Sequence, residues 1–322
     1  MKLLVLGGTK FLGRHIVEGA LERGHDVTIF HRGETNRGLF GDRVEEVLGD
    51  RDGGLGALAS GRWDAVIDTS GYFPRIVGES ANLLAERASH YTFISSISVY
   101  DDFSTGPHEG SPLQTLEDET IEELGDEYQY YGGLKALCER AVEREFPGQA
   151  LVVRPGLIVG PHDPTDRFTY WAERLARGGE IVAPGPPERL VQFVDVRDLA
   201  AWIVRLVEER RTGVFNATNE GVPMGELLAG ADVTWVPDEF LVEHGVGEWM
   251  ELPLWIADPE WIGHHHTDVS RAVAAGLRFR LVAETVRDTA EWAVSRGPHE
   301  PEAGLAPERE RELLEAWRAR RP

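Results

Sequence analysis

A tyrosine and a lysine four residues apart carry the strongest chemical signal in the chain. Tyr131 and Lys135 stand in the segment Tyr-Gly-Gly-Leu-Lys, and residues at this spacing share one face of a helix. A free phenol has a pKa of about 10, too high for efficient proton transfer near neutral pH. A neighbouring ammonium favours the phenolate and lowers that pKa. Tyr128 and Tyr130 have no lysine four residues on, so the pattern predicts Tyr131 as the proton-transfer group.

A glycine-rich turn near the N-terminus is the second signal. Residues 7–13 read Gly-Gly-Thr-Lys-Phe-Leu-Gly, between a short apolar run and a stretch whose apolar residues recur at helical spacing. A glycine turn between a strand and a helix lets the backbone approach a pyrophosphate, and the N-terminus of the helix stabilises its charge. A second apolar strand is predicted at 27–30, so the segment predicts a dinucleotide-binding turn.

This turn resembles that of the short-chain dehydrogenase/reductase superfamily, in its extended and atypical branches, also called the NAD-dependent epimerase/dehydratase family. The family pattern is Gly-x-x-Gly-x-x-Gly, and Gly7 and Gly13 match it while Lys10 takes the middle position. The form Gly-Gly-Thr-x-Phe-Leu-Gly is similar to an atypical branch that includes chloroplast stem-loop-binding proteins. The motifs of the resemblance extend over residues 1 to about 220. Two interpretations of Lys10 stay open, contact with a phosphate or simple solvation.

The resemblance implies a nicotinamide dinucleotide bound along the ends of the strands. Its contacts are expected at Gly7, Thr9, Lys10, Phe11, Leu12, Gly13, Arg32, Asp50, Arg51, Thr69, Ser70, Tyr131, Lys135, Pro155 and Ile158. After the second strand, an acid selects NAD through the ribose 2′-hydroxyl, whereas a cation accommodates the 2′-phosphate of NADP. The chain has His-Arg-Gly at 31–33 and no acid. We therefore predict NADP over NAD, with Arg32 as the main contact.

The resemblance also implies a catalytic set and a reaction. Alignment on the Val-Tyr pair at 99–100 makes Ser96 the hydroxyl that orients the substrate oxygen, beside Tyr131 and Lys135. Contacts to the substrate are expected from Tyr72, Ser98 and Trp255. The implied reaction is hydride transfer at a secondary alcohol or ketone, as net oxidoreduction or as epimerisation. The acid pair of sugar 4,6-dehydratases is replaced by Ile-Ser at 97–98, which argues against dehydration.

A parallel sheet must position these residues. The apolar runs predict strands at 2–6, 27–30, 44–48, 65–68, 91–95 and 151–153, and helical spacing predicts helices at 11–23, 76–88 and 127–145. Strands alternating with helices indicate an α/β doubly wound, Rossmann-like parallel sheet with a smaller C-terminal substrate lobe. We place the dinucleotide-binding domain at 1–160, with its sheet completed by about 190–218, the substrate lobe at 161–189 and 219–297, and a connector and C-terminal helix at 298–322.

Composition narrows the classes of partner. The 322 residues contain 55 Asp and Glu against 33 Lys and Arg, a net charge of −22, which argues against nucleic acid and anionic membranes as partners. One cysteine excludes an internal disulfide and a multi-cysteine metal site. No apolar run approaches a membrane span, and adjacent histidines at 264–266 point in different directions, so no metal site is predicted. We expect a soluble, cytoplasmic protein with a small-molecule substrate that could form a homodimer.

Two alternatives to an oxidoreductase with a dissociable cofactor stay open. One is a nucleotide-sugar epimerase that holds NAD(P) tightly, because oxidation, reorientation and reduction within one turnover use the same residues. The other is a non-catalytic NADP-binding sensor on the same fold. A sensor does not need proton-transfer groups, so the set of Ser96, Tyr131 and Lys135 favours an enzyme.

Overall fold

The computed structural model describes residues 1–320, in which thirteen strands are found. They are β1 Lys2–Leu6, β2 Asp26–His31, β3 Glu45–Leu48, β4 Ala65–Asp68, β5 Tyr91–Ile94, β6 Ala150–Pro155, β7 Ile158–Val159, β8 Glu180–Pro184, β9 Leu190–Val191, β10 Val194–Asp195, β11 Gly213–Ala217, β12 Val222–Pro223 and β13 Asp232–Val236. Seven of them form the main sheet, in the order β11-β6-β5-β4-β1-β2-β3. All six pairings in this sheet are parallel.

Helices cover both faces of the main sheet. The described helices are α1 Phe11–Glu22, α2 Pro74–Leu84, α3 Tyr131–Glu145, α4 Thr169–Arg177, α5 Val196–Glu208, α6 Met224–Leu227, α7 Asp238–Glu243, α8 Ser270–Ala274, α9 Val282–Arg296 and α10 Pro307–Arg320. α1 packs against α5, and α2 packs against α3. This arrangement confirms the doubly wound, Rossmann-like prediction.

Strand β1 shows why the short apolar runs become central strands. Successive side chains of a strand point to opposite faces of the sheet. Leu3 and Val5 join the core beneath α1 and α5, whereas Leu4 and Leu6 join the core beneath α2 and α3, and all four side chains are fully buried. A strand covered by helices on both faces must be apolar throughout, which is the pattern of the sequence.

The C-terminal half has a core of its own. Strands β8 and β13 pair in parallel, and the buried side chains around them include Phe168, Trp171, Phe240 and Trp255. The end of the chain packs onto this core because Glu310 of α10 forms a buried ion pair with Arg174 of α4. The lobe is therefore a packed unit rather than a set of loops.

Two predicted elements differ from the structure. Residues 190–195 do not return to the main sheet, because β9 pairs with β12 and β10 pairs with β7; only β11 joins it as an edge strand. The helix predicted from residue 127 begins at Tyr131, because Glu127 and Tyr128 have φ angles of 50° and 63°. Positive φ is incompatible with a right-handed helix.

Two kinds of feature are not found within residues 1–320. No helix there has the length and apolar character needed to cross a bilayer. No group of three or more His, Cys, Asp or Glu side chains in the same residues is placed to hold a metal ion.

Candidate active site

The glycine turn lies where β1 ends and α1 begins, next to the carboxyl end of β4. Gly7 and Gly8 have φ angles of +101° and +92°, a region that L side chains rarely adopt. A Cβ on Gly7 would lie 2.6 Å from the Thr69 hydroxyl oxygen, and one on Gly13 would lie 2.8 Å from the Gly8 nitrogen. These three positions therefore require glycine, and together they form a cradle of bare backbone that fits a dinucleotide phosphate.

Lys10 replaces the middle glycine of the family pattern without strain. Its backbone is extended, with φ −131° and ψ 139°, a conformation open to any residue. Its side chain is exposed and follows directly on the cradle. The structure thus explains why the middle position tolerates a side chain while the outer positions do not.

The loop after β2 meets the glycine turn at one point. The Asn36 side-chain amide donates a 2.8 Å hydrogen bond to the Thr9 carbonyl oxygen. Arg32 stands at the end of β2 with its side chain 60% exposed, in a 2.9 Å ion pair with Glu34. Its guanidinium therefore remains accessible to a ligand, since exposed ion pairs of this kind are weak.

At the end of β4, Thr69 closes over the glycine turn while Arg51 turns inward. The Thr69 hydroxyl donates to the Leu6 carbonyl oxygen at 2.9 Å. Arg51 was predicted to contact the cofactor, but its guanidinium forms a two-pronged ion pair with Asp68, at 2.7 and 2.8 Å. It also donates to the Ser70 hydroxyl at 3.4 Å. The assignment is corrected: because Asp68 occupies its fork, Arg51 positions the 68–70 turn.

The remaining predicted cofactor positions lie around this edge of the sheet. Asp50 is exposed after β3, and its carboxylate accepts the backbone N–H of Asp52 at 3.0 Å. Pro155 is the buried last residue of β6, and Ile158 is partly buried on β7. Phe11 and Leu12 open α1. Contact of these residues with the cofactor stays a prediction.

Tyr131, Lys135 and Ser96 come together at the carboxyl ends of β4 and β5. The Ser96 hydroxyl lies close enough to the Tyr131 phenol to lower its pKa, and it donates to the Ser98 hydroxyl at 3.0 Å. The Lys135 ammonium donates to the carbonyl oxygens of Gly71, at 2.8 Å, and Ile94, at 2.6 Å. An ammonium has three N–H donors, so one remains for a ligand.

The pKa shifts of this pair differ from the expectation. Burial and, to a smaller extent, the Tyr72 phenol raise the pKa of Tyr131 to about 12, although the Ser96 hydroxyl and the charge of Arg167 lower it. Burial lowers the pKa of Lys135 to about 8. In this structure desolvation outweighs the neighbouring charges in setting the pKa of Tyr131, and Arg167 is a cation that lowers it. The role of Lys135 toward the phenol stays a prediction.

Of the three predicted substrate residues, two lie near Tyr131. Tyr72 is 47% exposed, and its ring centroid lies 6.4 Å from that of Tyr131. The Ser98 hydroxyl accepts a hydrogen bond from the Ser96 hydroxyl. Trp255 is instead fully buried in the core of the lobe, where its indole N–H donates to Asp238 at 3.0 Å. A side chain without exposed surface does not fit a pocket wall, so the assignment to Trp255 is corrected.

Three residues of the lobe whose grouping the sequence did not predict lie together, and the charge of one of them, Arg167, acts on Tyr131. The Arg167 guanidinium carbon lies 5.4 Å from the Trp249 ring centroid, and the Trp249 ring lies 4.9 Å from that of His264. His265 next to it is fixed by the Gln192 N–H and the Leu254 carbonyl oxygen. No spacing rule joins positions 167, 249 and 264, which only the fold brings together.

Comparison with known proteins agrees with this geometry. The family model described as the NAD dependent epimerase/dehydratase family matches residues 3–218. The chain belongs to this family. Membership confirms the prediction of an extended short-chain dehydrogenase-type enzyme with a nicotinamide dinucleotide as cofactor.

Two curated relatives of this epimerase-family chain differ in their described roles. The chloroplast stem-loop binding protein of 41 kDa b from Arabidopsis thaliana is 24% identical over 249 residues, 71% of this chain and 62% of that protein. The 2-alkyl-3-oxoalkanoate reductase of Stenotrophomonas maltophilia (strain K279a) is 26% identical over 253 residues, 71% of this chain and 74% of that protein. The first alignment spans less than two thirds of the relative's length.

Solved structures share the fold at low sequence identity. UDP-glucuronic acid 4-epimerase from Bacillus cereus, solved with NAD, superposes with a TM-score of 0.65 at 14% identity, over 92% of this chain and 100% of that one. The human epimerase family protein SDR39U1, solved with NADPH, superposes with a TM-score of 0.60 at 18% identity, over 90% and 99%. These likenesses establish the fold, and the two structures hold different nicotinamide dinucleotides.

Proposed function

We propose that the protein is an NADP(H)-dependent oxidoreductase or epimerase that acts at a secondary alcohol or ketone. The observation that carries the proposal is the grouping of Tyr131, Ser96 and Lys135 at the carboxyl ends of β4 and β5, next to the glycine cradle. The dinucleotide, when bound, supplies or accepts the hydride. The similarity to an oxoalkanoate reductase is consistent with a ketone as one form of the substrate.

Tyr131 transfers the proton at the substrate oxygen. With a pKa of about 12, its phenol is protonated at neutral pH and can donate to a carbonyl oxygen as hydride arrives at the adjacent carbon. Ser96 holds that oxygen by a second hydrogen bond. In the reverse direction the phenol must be deprotonated, which the positive charge of Arg167 favours.

Lys135 holds backbone groups and the cofactor in position and does not itself transfer the proton. Two of its N–H groups hold the carbonyl oxygens that end β5 and follow β4, and the third is free to bind the cofactor ribose. Its pKa of about 8 keeps it largely protonated at pH 7. An arginine fork could not make these three compact contacts from one nitrogen.

The preference for NADP is supported by the end of β2. Arg32 is accessible there, residues 31–33 contain no acid that could bond a ribose 2′-hydroxyl, and the nearby Glu34 carboxylate is in an exposed ion pair with Arg32. Titration of the full chain with NADPH and with NADH should give tighter binding of NADPH. Arg32→Gln should weaken NADPH binding by about tenfold, the scale of one charge-assisted hydrogen bond, and leave NADH nearly unchanged. The control is Arg62→Gln, which removes an exposed arginine just before the start of β4. Tighter binding of NADH than of NADPH by the wild type contradicts the preference.

The reaction is tested by Tyr131→Phe. Loss of a general acid or base lowers kcat by about 10²–10⁴-fold, while the Kd for NADPH should change by less than about twofold, since the phenyl ring is retained. Tyr130→Phe, one residue away, is the matched control. Activity should be measured on a panel of ketones and nucleotide sugars. Full function of Tyr131→Phe would support the sensor alternative, and product formed without net change in NADPH absorbance would indicate epimerisation.

A homodimer is a separate proposal, supported by the outer face of α2 and α3. A groove of about 660 Å³ lies there, lined by charges of both signs, among them Arg75, Glu79, Arg140 and Glu145. Such a surface can be complementary to itself across a two-fold axis. Sedimentation over a hundredfold range of concentration tests the proposal, and a monomer mass throughout contradicts it.

A further inference from the structure

Arg167 is a partly buried cation without an acidic partner. It lies in the loop between β7 and α4. Within residues 1–320 no carboxylate approaches it to ion-pair distance, and its one hydrogen bond runs from Nε to the Thr165 hydroxyl oxygen at 3.2 Å. Both terminal nitrogens of the guanidinium, with four N–H donors, therefore have no partner in the described chain. Withdrawing a charge from water without compensation is unfavourable, so this arrangement needs an explanation.

Three other arginines, with side chains only 4% to 11% exposed, each bind a carboxylate at 2.6 to 2.8 Å: Arg51 binds Asp68, Arg154 binds Glu139 and Arg174 binds Glu310. The protein thus neutralises these buried guanidinium groups. At position 167 no carboxylate of the described residues has that part, and the terminal nitrogens stay available to a ligand.

The loop that carries Arg167 is held in place. The Asp166 carboxylate binds the Arg296 guanidinium at 2.7 Å, and the Asp163 carboxylate accepts the Thr165 N–H and hydroxyl, both at 2.8 Å. These bonds tie the loop to α9 and to itself. The guanidinium is therefore positioned before any ligand arrives, which reduces the entropy cost of binding.

The surroundings of the guanidinium leave its hydrogen-bonding edge free. Trp249 lies under it at 5.4 Å and is itself held at a φ of +65°, which is unusual for a bulky residue. On the other side of the indole, the enclosed Nδ1 of His264 has no hydrogen-bond partner among the described residues. Burial lowers the pKa of His264 to about 3, so this ring is neutral and offers a polar contact without charge.

The charge of Arg167 acts on the candidate reacting centre. The charge of Arg167 lowers the pKa of Tyr131, and the phenols of Tyr131 and Tyr128 act in turn on Arg167. Asp163 is the acid that acts on it most strongly, but both protein contacts of that carboxylate go to Thr165, and its other oxygen has no partner in the described chain. Asp163 therefore does not occupy the hydrogen-bonding edge of Arg167, which remains available to a ligand.

We propose that Arg167 binds an oxyanion of the substrate, a carboxylate or a phosphate carried close to the carbon that reacts at Tyr131. The inference rests on the proposed function of that site. A planar fork with two free nitrogens matches the two oxygens of a carboxylate or phosphate. The indole of Trp249 and the imidazole of His264 contact the part of the substrate next to that oxyanion.

Matched pairs of ketones test the charge requirement. Acetoacetate and its methyl ester differ in a carboxylate, and dihydroxyacetone phosphate and dihydroxyacetone differ in a phosphate. Binding of each to the full chain saturated with NADP⁺ is measured by calorimetry. One anionic member should bind about 10-fold to 100-fold more tightly than its neutral partner, the range of charge-assisted hydrogen bonds. The pair that shows the preference identifies the oxyanion; no preference in either pair overturns the proposal.

Variants assign the preference to one residue. Arg167→Met keeps the length of the side chain over Trp249 but removes the charge, and should abolish the preference while leaving the Kd of the neutral partner within about twofold. Arg167→Lys keeps the charge without the fork and should retain part of the preference. Arg177→Met, which removes an exposed arginine at the end of α4, is the matched control. If Arg167→Met and Arg177→Met reduce the preference for the anionic probe equally, the assignment to Arg167 is contradicted. Thermal unfolding checks that each variant folds.

The outcome is separable from that of the proposed function. Tyr131→Phe should lose turnover but retain the preference for the anionic probe. A preference that depends on Arg167 in a protein without turnover would support this inference and contradict the proposed function. Turnover of ketones that depends on Tyr131, without tighter binding of the anionic probes, would support the proposed function and contradict this inference.

Discussion

The two sides of the candidate cleft treat their buried polar groups differently. On the sheet side, which we define as Asp68, Glu139, Arg154 and Lys135, every charged group has a partner within hydrogen-bond distance. On the lobe side, defined as Asp163, Arg167 and His264, one carboxylate oxygen, the guanidinium fork and one ring nitrogen have none among residues 1–320.

The difference indicates which side is complete before a ligand binds. Satisfied groups rigidify a structure, because moving one of them leaves its partner unpaired. Unsatisfied groups cost free energy until a ligand pairs with them. The sheet side is therefore a pre-formed support for the proton-transfer residues, whereas the lobe side retains hydrogen-bonding capacity for the substrate.

The largest expected effect on stability comes from breaking a pair on the sheet side. Glu139→Gln leaves Arg154 as an uncompensated buried charge, which typically lowers the free energy of unfolding by about 3–5 kcal/mol. Glu119→Gln breaks an ion pair with Arg140 of which both side chains are about 60% exposed, and should cost less than about 1 kcal/mol. Urea unfolding of both variants measures this, and equal losses would contradict the comparison.

A smaller effect is expected from the pH dependence of Lys135. Its folded pKa of about 8 lies below the unfolded value of 10.5, so between these values the unfolded chain binds more protons and stability rises with pH. We compare the free energy of unfolding of the wild type with that of Lys135→Met. The difference, wild type minus variant, should increase by about 2 kcal/mol from pH 7 to pH 9.5. Lys10→Met, which removes an exposed ammonium, should show no such trend. A flat margin would mean that Lys135 is not desolvated as the structure indicates.

The smallest effect is expected on the lobe side, at Asp163. Burial raises the pKa of this carboxyl, so the folded state favours its protonated form, and its contribution to stability is lost as pH rises from the unfolded pKa through the folded one. Asp163→Asn should therefore gain stability relative to the wild type between pH 4 and pH 7, and differ from it by no more than about 1 kcal/mol at pH 7. Unfolding at the two pH values measures the trend. A large loss at pH 7 would place Asp163 with the paired acids of the sheet side.

Local patterns predicted the elements that carry the glycine turn and Lys135, but not the buried ion pairs of the sheet side. The strand before the glycine turn, the helix after it and the spacing of Tyr131 and Lys135 are short-range features, so dihedral preferences and side-chain periodicity identify them. The predicted start of the helix was wrong because nothing in the residues at 127 and 128 marks a positive φ. The assignment of Trp255 failed for a related reason: two tryptophans six residues apart in an irregular segment carry no periodicity that separates core from pocket wall.

By itself, the sequence predicted the fold class, the glycine cradle and the pairing of Tyr131 with Lys135, because each depends on residues close together in the chain. The tertiary structure decided the electrostatics. Whether Tyr131 has a raised or lowered pKa depends on how completely other elements exclude water from it, and Arg51 and Arg167 differ in pairing because Asp68 reaches one and no carboxylate of residues 1–320 reaches the other. Burial and pairing arise from contacts between distant segments, and no local pattern encodes them.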